Sequence, residues 1–300
     1  MDFRRLRYLI RVGEERSFTR AARLLNVSQP TLSQQIQDLE AELGVALFTR
    51  TAHKVEPTEA GLLTIDCALR VMAETERLRE AVLEYRGLKR GRLRIGVTQT
   101  FNALYLPRIV TDFARDYPAI DLEILELAND EIDVGVEAGT LHLGVGLPRA
   151  HTKSRAEPLY ADTLMFVCAR GHSLAEAESV PAARLSEESI ALLGHGFRTR
   201  AAVDDYLAEA DTTPLRVIAF NTFAAILNVV ASGDYVSIVP ADVRHVSGLV
   251  SGVAALHFAR LEPGPGSRTI CLLSAPEDRT TPAAIRFAAR IRDYFAATKR

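Results

Sequence analysis

The stretch that decides the fold is Val27–Glu40, VSQPTLSQQIQDLE. Its apolar positions recur three or four residues apart and form one stripe of a helix: Leu32, Ile36, Leu39 and, just beyond, Leu43. Ser28 is a favourable N-cap for this helix, and Pro30 lies in its first turn, where a missing N–H costs little. The remaining positions carry amides and hydroxyls instead of the Lys and Glu of an ordinary solvated face.

Two further helices precede this stretch. Residues 2–15 have one apolar face, and Ser17 caps a second short helix that ends near Leu25, followed by a tight turn. A short helix, a turn and a helix with exposed hydrogen-bonding groups are typical of a helix-turn-helix, whose second helix reads base edges in the major groove. The face opposite the apolar stripe holds suitable side chains: Pro30, Thr31, Gln34, Gln37 and Asp38. The alternative is a helical bundle with a Gln-rich solvated face.

Residues 45–58 have the short alternating runs of a β-hairpin anchored by Leu47 and Phe48. Arg50, His53 and Lys54 are predicted around its tip, where they would suit contact with the sugar-phosphate backbone or a minor groove. A solvated hairpin is the alternative. Residues 1–37 hold seven Arg against three acidic residues, an excess that permits contact with phosphates but does not require it.

The composition is that of an ordinary globular chain of 300 residues, with 48% hydrophobic and 25% charged residues. No apolar run reaches the length of a membrane span, so we expect a cytoplasmic protein with no membrane partner. Cys67, Cys168 and Cys271 are far apart and lack CxxC spacing, which indicates neither a disulfide framework nor a zinc site. We interpret them as reduced core thiols and predict no metal and no cofactor.

The segment after Thr58 is predicted to form one long helix. It has no Pro or Gly between Leu62 and Arg86, and it carries two offset apolar stripes. Both stripes can be buried only if a partner covers one of them, so the pattern predicts a self-paired dimerisation helix. The basic run GLKRGR at residues 87–92 then marks a flexible boundary.

Beyond this boundary strands alternate with helices, a pattern that predicts parallel sheets covered on both faces. The expected strands cover residues 93–98, 120–127, 141–147, 164–168, 189–193, 215–220, 235–239, 253–258 and 269–274. The expected helices cover residues 106–115, 131–139, 200–210, 223–232 and 282–297.

Three strand-to-helix junctions carry hydroxyl groups. They are Thr98-Gln99-Thr100-Phe101-Asn102, Gly196-Phe197-Arg198-Thr199 and Asn221-Thr222. Ligands of open α/β sheets bind at such junctions, beside helix N-termini that favour anions. With Arg198 as a fixed cation, the junctions predict a site for a small carboxylate or inorganic anion. The alternative is that Thr199 and Thr222 are only N-caps.

Enzyme motifs are missing from the sequence. It contains no GxGxxG, no GxxxxGK[ST], no GxSxG and no HExxH, and the adjacent Asp204 and Asp205 point to different sides of a helix. We therefore predict no catalytic residue. The competing interpretation is a two-lobed enzyme or small-molecule-binding protein that has an N-terminal helical dimerisation module and no specific DNA binding.

One run of residues carries a family resemblance. The pattern Ala21-Ala22-x-x-Leu25-x-x-Ser28-Gln29-Pro30-Thr31-Leu32-Ser33-x-Gln35-Ile36-x-x-Leu39-Glu40-x-x-Leu43-Gly44-x-x-Leu47-Phe48-x-Arg50, followed by Thr58-x-Ala60-Gly61, resembles the N-terminal signature of LysR-type transcriptional regulators. The resemblance implies a multi-domain α+β chain: a winged helix-turn-helix (1–58), a linker helix (59–88) and an effector domain of periplasmic-binding-protein type (89–300). Its lobe I would cover about 92–161 and 268–300, and its lobe II about 162–267.

The resemblance also implies residue roles in DNA binding. Gln29, Pro30, Thr31 and Gln34 would meet bases, while Ser33 and Arg50 would meet the DNA backbone or groove edge. Two recognition helices would read a near-palindromic operator in double-stranded DNA, the chain would form a dimer or homotetramer, and RNA polymerase is a further candidate partner. His53 and Pro57 depart from the family pattern, which commonly has Arg and Leu there.

For the effector domain, the resemblance places contacts at Thr98, Thr100 and the loop 197–199. We add the neighbouring Phe101 and Thr222 to this predicted effector site. The runs GVTQTF and HGFRTRAAVDDY look most like the branch of the family that includes the cyanate-operon regulator.

Overall fold

A computed structural model describes residues 1–50, 54–85, 91–245, 255–276 and 280–298. The chain forms two compact units: Met1–Leu88 with Ala138–Thr140, and Lys89–Glu137 with Leu141–Arg300. Within the described residues, no helix combines the length and apolarity that crossing a bilayer requires. Three predicted features lie partly or wholly outside the described residues: the hairpin tip at His53, the boundary at 87–90, and the first two residues of the strand expected at 253–258.

The first unit contains four helices and a two-stranded antiparallel wing among its described residues. They are α1 (Phe3–Glu15), α2 (Phe18–Leu24), α3 (Gln29–Leu43), β1 (Phe48–Arg50), β2 (Val55–Pro57) and α4 (Glu59–Tyr85). The Ser17 and Ser28 side chains cap α2 and α3 by accepting from backbone N–H groups three residues later. The core joins α1, α2 and α3 through Leu6, Leu9, Val12, Ala21, Leu32, Ile36 and Leu39. The predicted helix-turn-helix and hairpin are confirmed.

The wing is fixed to the end of α3 by a side chain of that helix. Glu40 Oε1 accepts from the backbone N–H groups of Leu47 at 2.7 Å and Phe48 at 3.2 Å. The Thr58 hydroxyl caps α4 by accepting from Gly61 N at 2.9 Å. A Cβ at Gly61 would lie 2.0 Å from the Leu47 carbonyl oxygen, so only glycine permits this approach.

The long helix α4 has one buried and one exposed apolar side. Ala68 is buried and Ile65 packs against the core of the first unit. Several large apolar side chains of α4 remain exposed: Leu62, Leu63, Val71, Leu78 and Val82. The predicted second stripe is open to solvent at Val71, Leu78 and Val82, and Leu62 of the predicted first stripe is also exposed.

Lobe I of the second unit is built on a five-stranded sheet. Its strands, in spatial order, are β4 (Ile120–Glu126), β3 (Gly91–Val97), β5 (Leu143–Gly146), β13 (Arg268–Ser274) and β6 (Arg155–Asp162). The helices of this lobe are α5 (Gln99–Leu104), α6 (Leu106–Asp116), α7 (Asn129–Ala138) and α10 (Pro282–Thr298). Phe101, Phe113 and Phe287 are among the fully buried side chains of its core.

Lobe II has a four-stranded sheet in the order β11 (Ser237–Pro240), β7 (Leu164–Ala169), β12 (Leu256–Glu262) and β8 (Ser179–Pro181). Beside it lies the parallel pair β9 (Ser189–Leu193) and β10 (Arg216–Phe220). Its helices are α8 (Arg198–Glu209) and α9 (Phe223–Ala231), with 3₁₀ turns at Ala182–Glu187 and Ala241–His245.

The expectation of parallel sheets is correct for β3, β4 and β5 and for β9 with β10, and β8 also pairs parallel with β12. It is wrong for the remaining strand pairs of the two lobes. β13 runs antiparallel to β5 and β6, and β7 runs antiparallel to β11 and β12. The chain passes between the lobes twice, after β6 and before β13, and strands that return in this way pair without a helical crossover. β6, β8 and α5 were not predicted. β6, RAEPLYAD, lacks a clear alternation of apolar and polar residues.

Candidate DNA-reading face and effector cavity

The predicted base-reading residues are exposed at the N-terminal end of α3. Leu32 and Ile36 are fully buried. In the N-terminal half of the helix, the side chains that face solvent are Gln29, Pro30, Thr31 and Gln34, with Ser33 partly buried beside them. We define these five residues as the DNA-reading face. A helix that presents its N-terminal residues in this way matches how a recognition helix meets base edges.

Two of these side chains are held by hydrogen bonds within the helix. Ser28 Oγ accepts from Thr31 N at 3.2 Å and lies 2.7 Å from Thr31 Oγ1. The Gln34 amide nitrogen donates to Asp38 Oδ1 at 2.9 Å. These bonds orient the groups before any DNA is present, which lowers the conformational entropy lost when they bind.

The arginines of the first unit divide into paired and unpaired groups. Arg5, Arg11 and Arg20 form ion pairs with Glu42, Glu14 and Glu15. Among the described residues of α1, α2 and the turn between them, four exposed arginines have no ion-pair partner: Arg4, Arg7, Arg16 and Arg23. The positive charge available to phosphates is therefore smaller than the count of arginines suggests.

The wing supplies one described cation. Lys54 is 74% exposed and lies 3.5 Å from Glu56, which leaves its ammonium group accessible. Arg50 ends β1, and its side chain lies outside the described residues.

A cavity lies between the two lobes of the second unit. Lobe I contributes Thr98, Gln99 and Thr100 from the start of α5, and lobe II contributes residues beside α8 and α9, including Phe197 and Thr199. Its volume is about 40 Å³. At roughly 10–15 Å³ per water, this state of the cavity has room for about three water-sized groups.

The fixed cation of the cavity is Arg268, the first residue of β13. Its guanidinium donates from Nη2 to Asp162 Oδ2 at 2.5 Å and from Nη1 to Thr199 Oγ1 at 3.3 Å. Burial raises the pKa of Asp162, and the neighbouring Arg268 charge opposes that shift. The polar wall of the cavity is thus an ion pair flanked by hydroxyl groups.

Three polar atoms of this wall are buried without a hydrogen-bond partner in the described part of the chain. They are Thr98 Oγ1, Asp162 Oδ1 and Arg268 Nε. Buried polar groups are normally paired, so unpaired donors and acceptors that border one cavity indicate a missing polar ligand or water. The set offers one fixed donor, one acceptor and one hydroxyl that can act as either.

Arg198 was predicted to be the cation of the site, but the structure places it elsewhere. The first turn of α8 directs its side chain to lobe I, where Nε donates to Asp130 Oδ1 at 2.8 Å and Nη1 to the Pro148 carbonyl at 2.9 Å. Gln99 makes a second bridge between the lobes, donating to Asn221 O at 2.8 Å and accepting from Phe223 N at 3.1 Å. Arg198 therefore joins the lobes outside the cavity.

Two other predicted effector contacts also lie outside the cavity. Phe101 is fully buried in the lobe I core, because adjacent residues of α5 point about 100° apart and Phe101 does not share the direction of Thr100. Thr222 is exposed, and its hydroxyl caps α9 by accepting from Ala225 N at 3.2 Å. Among the predicted residues, the structure brings together Thr98, Thr100, Phe197 and Thr199.

The two charged residues of the cavity were not predicted from the sequence. Neither lies at a strand-to-helix junction: Arg268 begins the returning antiparallel strand β13, and Asp162 ends a strand that was not predicted. Their cross-strand pairing joins positions 106 residues apart. A local signal was available only in the charge itself, as Arg268 stands at the start of an apolar strand.

The three cysteines do not share one environment. Cys168 and Cys271 are buried, whereas Cys67 is exposed on α4, which corrects its assignment as a core thiol. Burial, followed by repulsion from Glu188, raises the pKa of Cys168 to about 11. Burial also raises the pKa of Cys271. Both buried thiols are therefore protonated and poorly nucleophilic at neutral pH.

Comparison with known families divides the chain at the same place as its architecture. Residues 3–62 match the bacterial regulatory helix-turn-helix protein, lysR family. Residues 86–296 match the LysR substrate binding domain.

Curated relatives resemble the chain over most of its length. The hydrogen peroxide-inducible genes activator of Dickeya chrysanthemi is 32% identical over 280 residues, which are 92% of this chain and 90% of the relative. The DNA-binding transcriptional dual regulator OxyR of Escherichia coli strain K12 has the same identity and coverage.

Solved structures resemble the chain in fold. Full-length CbnR complexed with its target DNA has a TM-score of 0.65 and 27% identity, covering 98% of this chain and 100% of that one. Full-length OxyR from Pseudomonas aeruginosa has a TM-score of 0.66 and 24% identity, covering 98% of this chain and 94% of that one. The predicted arrangement of a helix-turn-helix domain with a two-lobed substrate-binding domain is confirmed by these matches.

Proposed function

Because the chain belongs to the LysR family of DNA-binding transcriptional regulators, we propose that its DNA-reading face recognises a near-palindromic operator in double-stranded DNA and that a small anion or carboxylate in the lobe cavity controls the response. LysR-family regulators are DNA-binding proteins and not enzymes, so the competing enzyme interpretation is set aside.

The DNA part of the proposal rests on the uncharged groups of α3. Gln29 and Gln34 match the donor–acceptor pair of adenine, and the Thr31 methyl or Pro30 ring suits a thymine methyl. Ser33 and the wing cations Arg50 and Lys54 would contact sugar and phosphate, which fixes the register of the helix on the duplex.

Self-association is proposed through the exposed side of α4. Val71, Leu78 and Val82 share one side of the helix and are 44%, 66% and 52% exposed, although they are large apolar side chains. A second copy of α4 would cover them and pair two recognition helices, giving a dimer that reads two half-sites. Further pairing to a homotetramer, and contact with RNA polymerase on the bound promoter, belong to the same proposal.

The single observation that carries the effector proposal is the buried, unpartnered Nε of Arg268. A guanidinium N–H in this position binds an anionic oxygen or nitrogen well, because charge-assisted hydrogen bonds are stronger than neutral ones. Thr98 supplies a second unpartnered group, and the first turn of α8 at Thr199 adds the positive end of a helix. The volume of about 40 Å³ favours a ligand of few heavy atoms.

A response to peroxide is the second candidate function, because a relative with 32% identity is named a hydrogen peroxide-inducible genes activator. None of the described residues that line the cavity is a cysteine, and the buried thiols of Cys168 and Cys271 are kept protonated. The exposed Cys67 is the thiol that peroxide would meet first. Under the anion proposal, Cys67→Ser leaves the response to the effector unchanged.

The anion proposal is tested by calorimetric titration of the full chain with formate, nitrate and cyanate. Cyanate is included because of the resemblance to the cyanate-operon regulator. We expect Arg268→Gln to abolish binding and the matched variant Arg198→Gln, which removes a guanidinium outside the cavity, to retain it. Equal binding by Arg268→Gln and the unmodified chain would refute the site.

A further inference from the structure

The ion pair of the cavity lies where the chain passes between the lobes. Asp162 is the last residue of β6, Arg268 is the first of β13, and the two are cross-strand partners. β6 leads into lobe II and β13 returns from it. The side chains are only 6% and 14% exposed. Any change in this pair therefore acts on both connections between the lobes.

The pair is incomplete on its cavity side. Among the described residues, Asp162 Oδ1 and Arg268 Nε are both buried without a partner, and both residues line the cavity. A cross-strand ion pair that served stability alone would be expected to have these atoms satisfied or in water. A ligand in the cavity thus meets an unsatisfied donor and an unsatisfied acceptor side by side.

The charges around Asp162 do not favour a further anion. Arg268 faces Asp162 from β13, and Asp242 acts on it electrostatically from the 3₁₀ turn of lobe II. Asp242 in turn accepts from the Tyr105 hydroxyl at 2.8 Å. Tyr105 and Tyr160 are the other titratable groups nearby, and burial raises the pKa of both phenols, so they stay neutral.

The balance is therefore one guanidinium against two carboxylates. An anion that entered this buried set without compensation would leave two surplus negative charges, and like charges in a poorly solvated site cannot all remain ionised. One proton removes most of the conflict. Asp162 is the group to receive it, since burial already favours its neutral form and a protonated Oδ1 becomes a donor toward the ligand.

We propose that the effector anion enters the cavity together with one proton, which Asp162 takes up, so that effector binding is coupled to proton uptake at the crossover of the lobes. This inference rests on the anion site proposed above. Because the complex holds one more proton than the free protein, effector affinity rises as pH falls. The dependence reaches about tenfold per pH unit where a full proton is taken up. This pH dependence disappears at pH values low enough to protonate Asp162 in the free protein.

The test is calorimetry of the full chain with formate, which stays ionised near neutral pH, in two buffers of different ionisation enthalpy. We expect uptake of close to one proton on formate binding, and about a tenfold loss of formate affinity for each unit by which the pH is raised. Asp162→Asn should bind formate more tightly at alkaline pH, with neither proton uptake nor pH dependence. Asp162→Glu, which keeps a carboxyl group, should retain both.

A matched control is Asp204→Asn. Its carboxylate pairs with the Arg200 guanidinium at 2.7 Å, outside the cavity, so the proton uptake should persist. Formate binding without proton uptake by the unmodified chain would overturn the inference and leave the anion site intact. The inference would also be overturned if the chain bound glycine without proton uptake and did not bind formate. The ammonium group of glycine would then satisfy Asp162 in place of a proton.

Failure of the anion site and failure of the proton-uptake inference give different results. If neither the unmodified chain nor Asp162→Asn binds formate, nitrate or cyanate, the anion site and this inference both fall. Retained DNA binding by Asp162→Asn shows that the variant is folded. If it is not folded, the two-buffer measurement on the unmodified chain and on Asp162→Glu still decides the question.

Discussion

The DNA-reading face of α3 and the cavity between the lobes differ in how far apart their residues lie along the chain. The first is contained in six consecutive positions, 29–34, of one capped helix. The second brings together residues from Thr98 to Arg268 across two lobes. A surface made of one helix is complete once that helix forms, whereas the cavity exists only when separate segments of both lobes have packed.

The two regions also differ in how their polar groups are satisfied. Gln34 and Thr31 have local partners and solvent around them. Thr98, Asp162 and Arg268 each keep a buried atom without a partner. The DNA-reading face is therefore ready to exchange water for bases, and the cavity holds an unmet requirement that a small ligand would satisfy.

The largest effect is expected from breaking the support of α3. Ile36 is fully buried in the core of the first unit. Ile36→Ala should cost ~2–5 kcal/mol of unfolding free energy through lost burial and a cavity. Denaturant unfolding of the full chain, followed by helical circular dichroism, measures this loss of unfolding free energy. A loss below about 1 kcal/mol would mean that α3 is not held by this stripe.

The next largest effect separates base reading from general DNA affinity. Gln34→Ala should cost ~1–3 kcal/mol on the operator and little on random DNA, because a lost base contact removes discrimination only. Thr111→Ala, at an exposed position of α6 outside the first unit, is the control. Equal losses on operator and random DNA would remove Gln34 from base reading.

A smaller effect, confined to effector binding, is expected from a substitution at the cavity wall. Thr100→Trp should fill the cavity and weaken formate binding by at least about tenfold, or ~1.4 kcal/mol, with operator affinity nearly unchanged. Thr111→Trp, on the exposed side of α6 in the same lobe, should leave formate binding intact. A normal response in the Thr100 variant would exclude that residue from the site.

The smallest effect distinguishes the bridge between the lobes from the ligand cation. Arg198→Ala removes the bonds to Asp130 and Pro148, but a partly exposed ion pair contributes only ~0–1 kcal/mol. Effector affinity should change by less than about fivefold. A loss as large as that of Arg268→Gln would restore Arg198 as the cation of the site.

Much of the fold could be predicted from the sequence where its signals are local. The caps Ser17 and Ser28, the stripe of α3 and most strands and helices of the lobes follow from spacing and capping chemistry. The antiparallel return of β13 could not be predicted in this way, because it depends on the chain passing twice between the lobes. The apolar spacing within a strand does not specify its neighbour.

Some of the residues that line the candidate cavity could be predicted from the sequence, and others could not. Thr98, Thr100 and Thr199 carry a junction signal, and the structure brings them together. Arg198 carries the same signal and turns away, since the first turn of a helix sends neighbouring side chains in different directions. Arg268 and Asp162 carry no junction signal, because their meeting is a product of sheet register.

The measurement that tests the central claim most directly is a footprint on DNA upstream of the gene at about 150 mM salt, with random competitor and with or without formate, nitrate or cyanate. The account predicts protection of a near-palindromic site whose extent changes when one of these anions is added. It predicts the same protection, without that change, for Arg268→Gln. Uniform protection would contradict the DNA-reading face, and an unaltered anion response in Arg268→Gln would contradict the cavity.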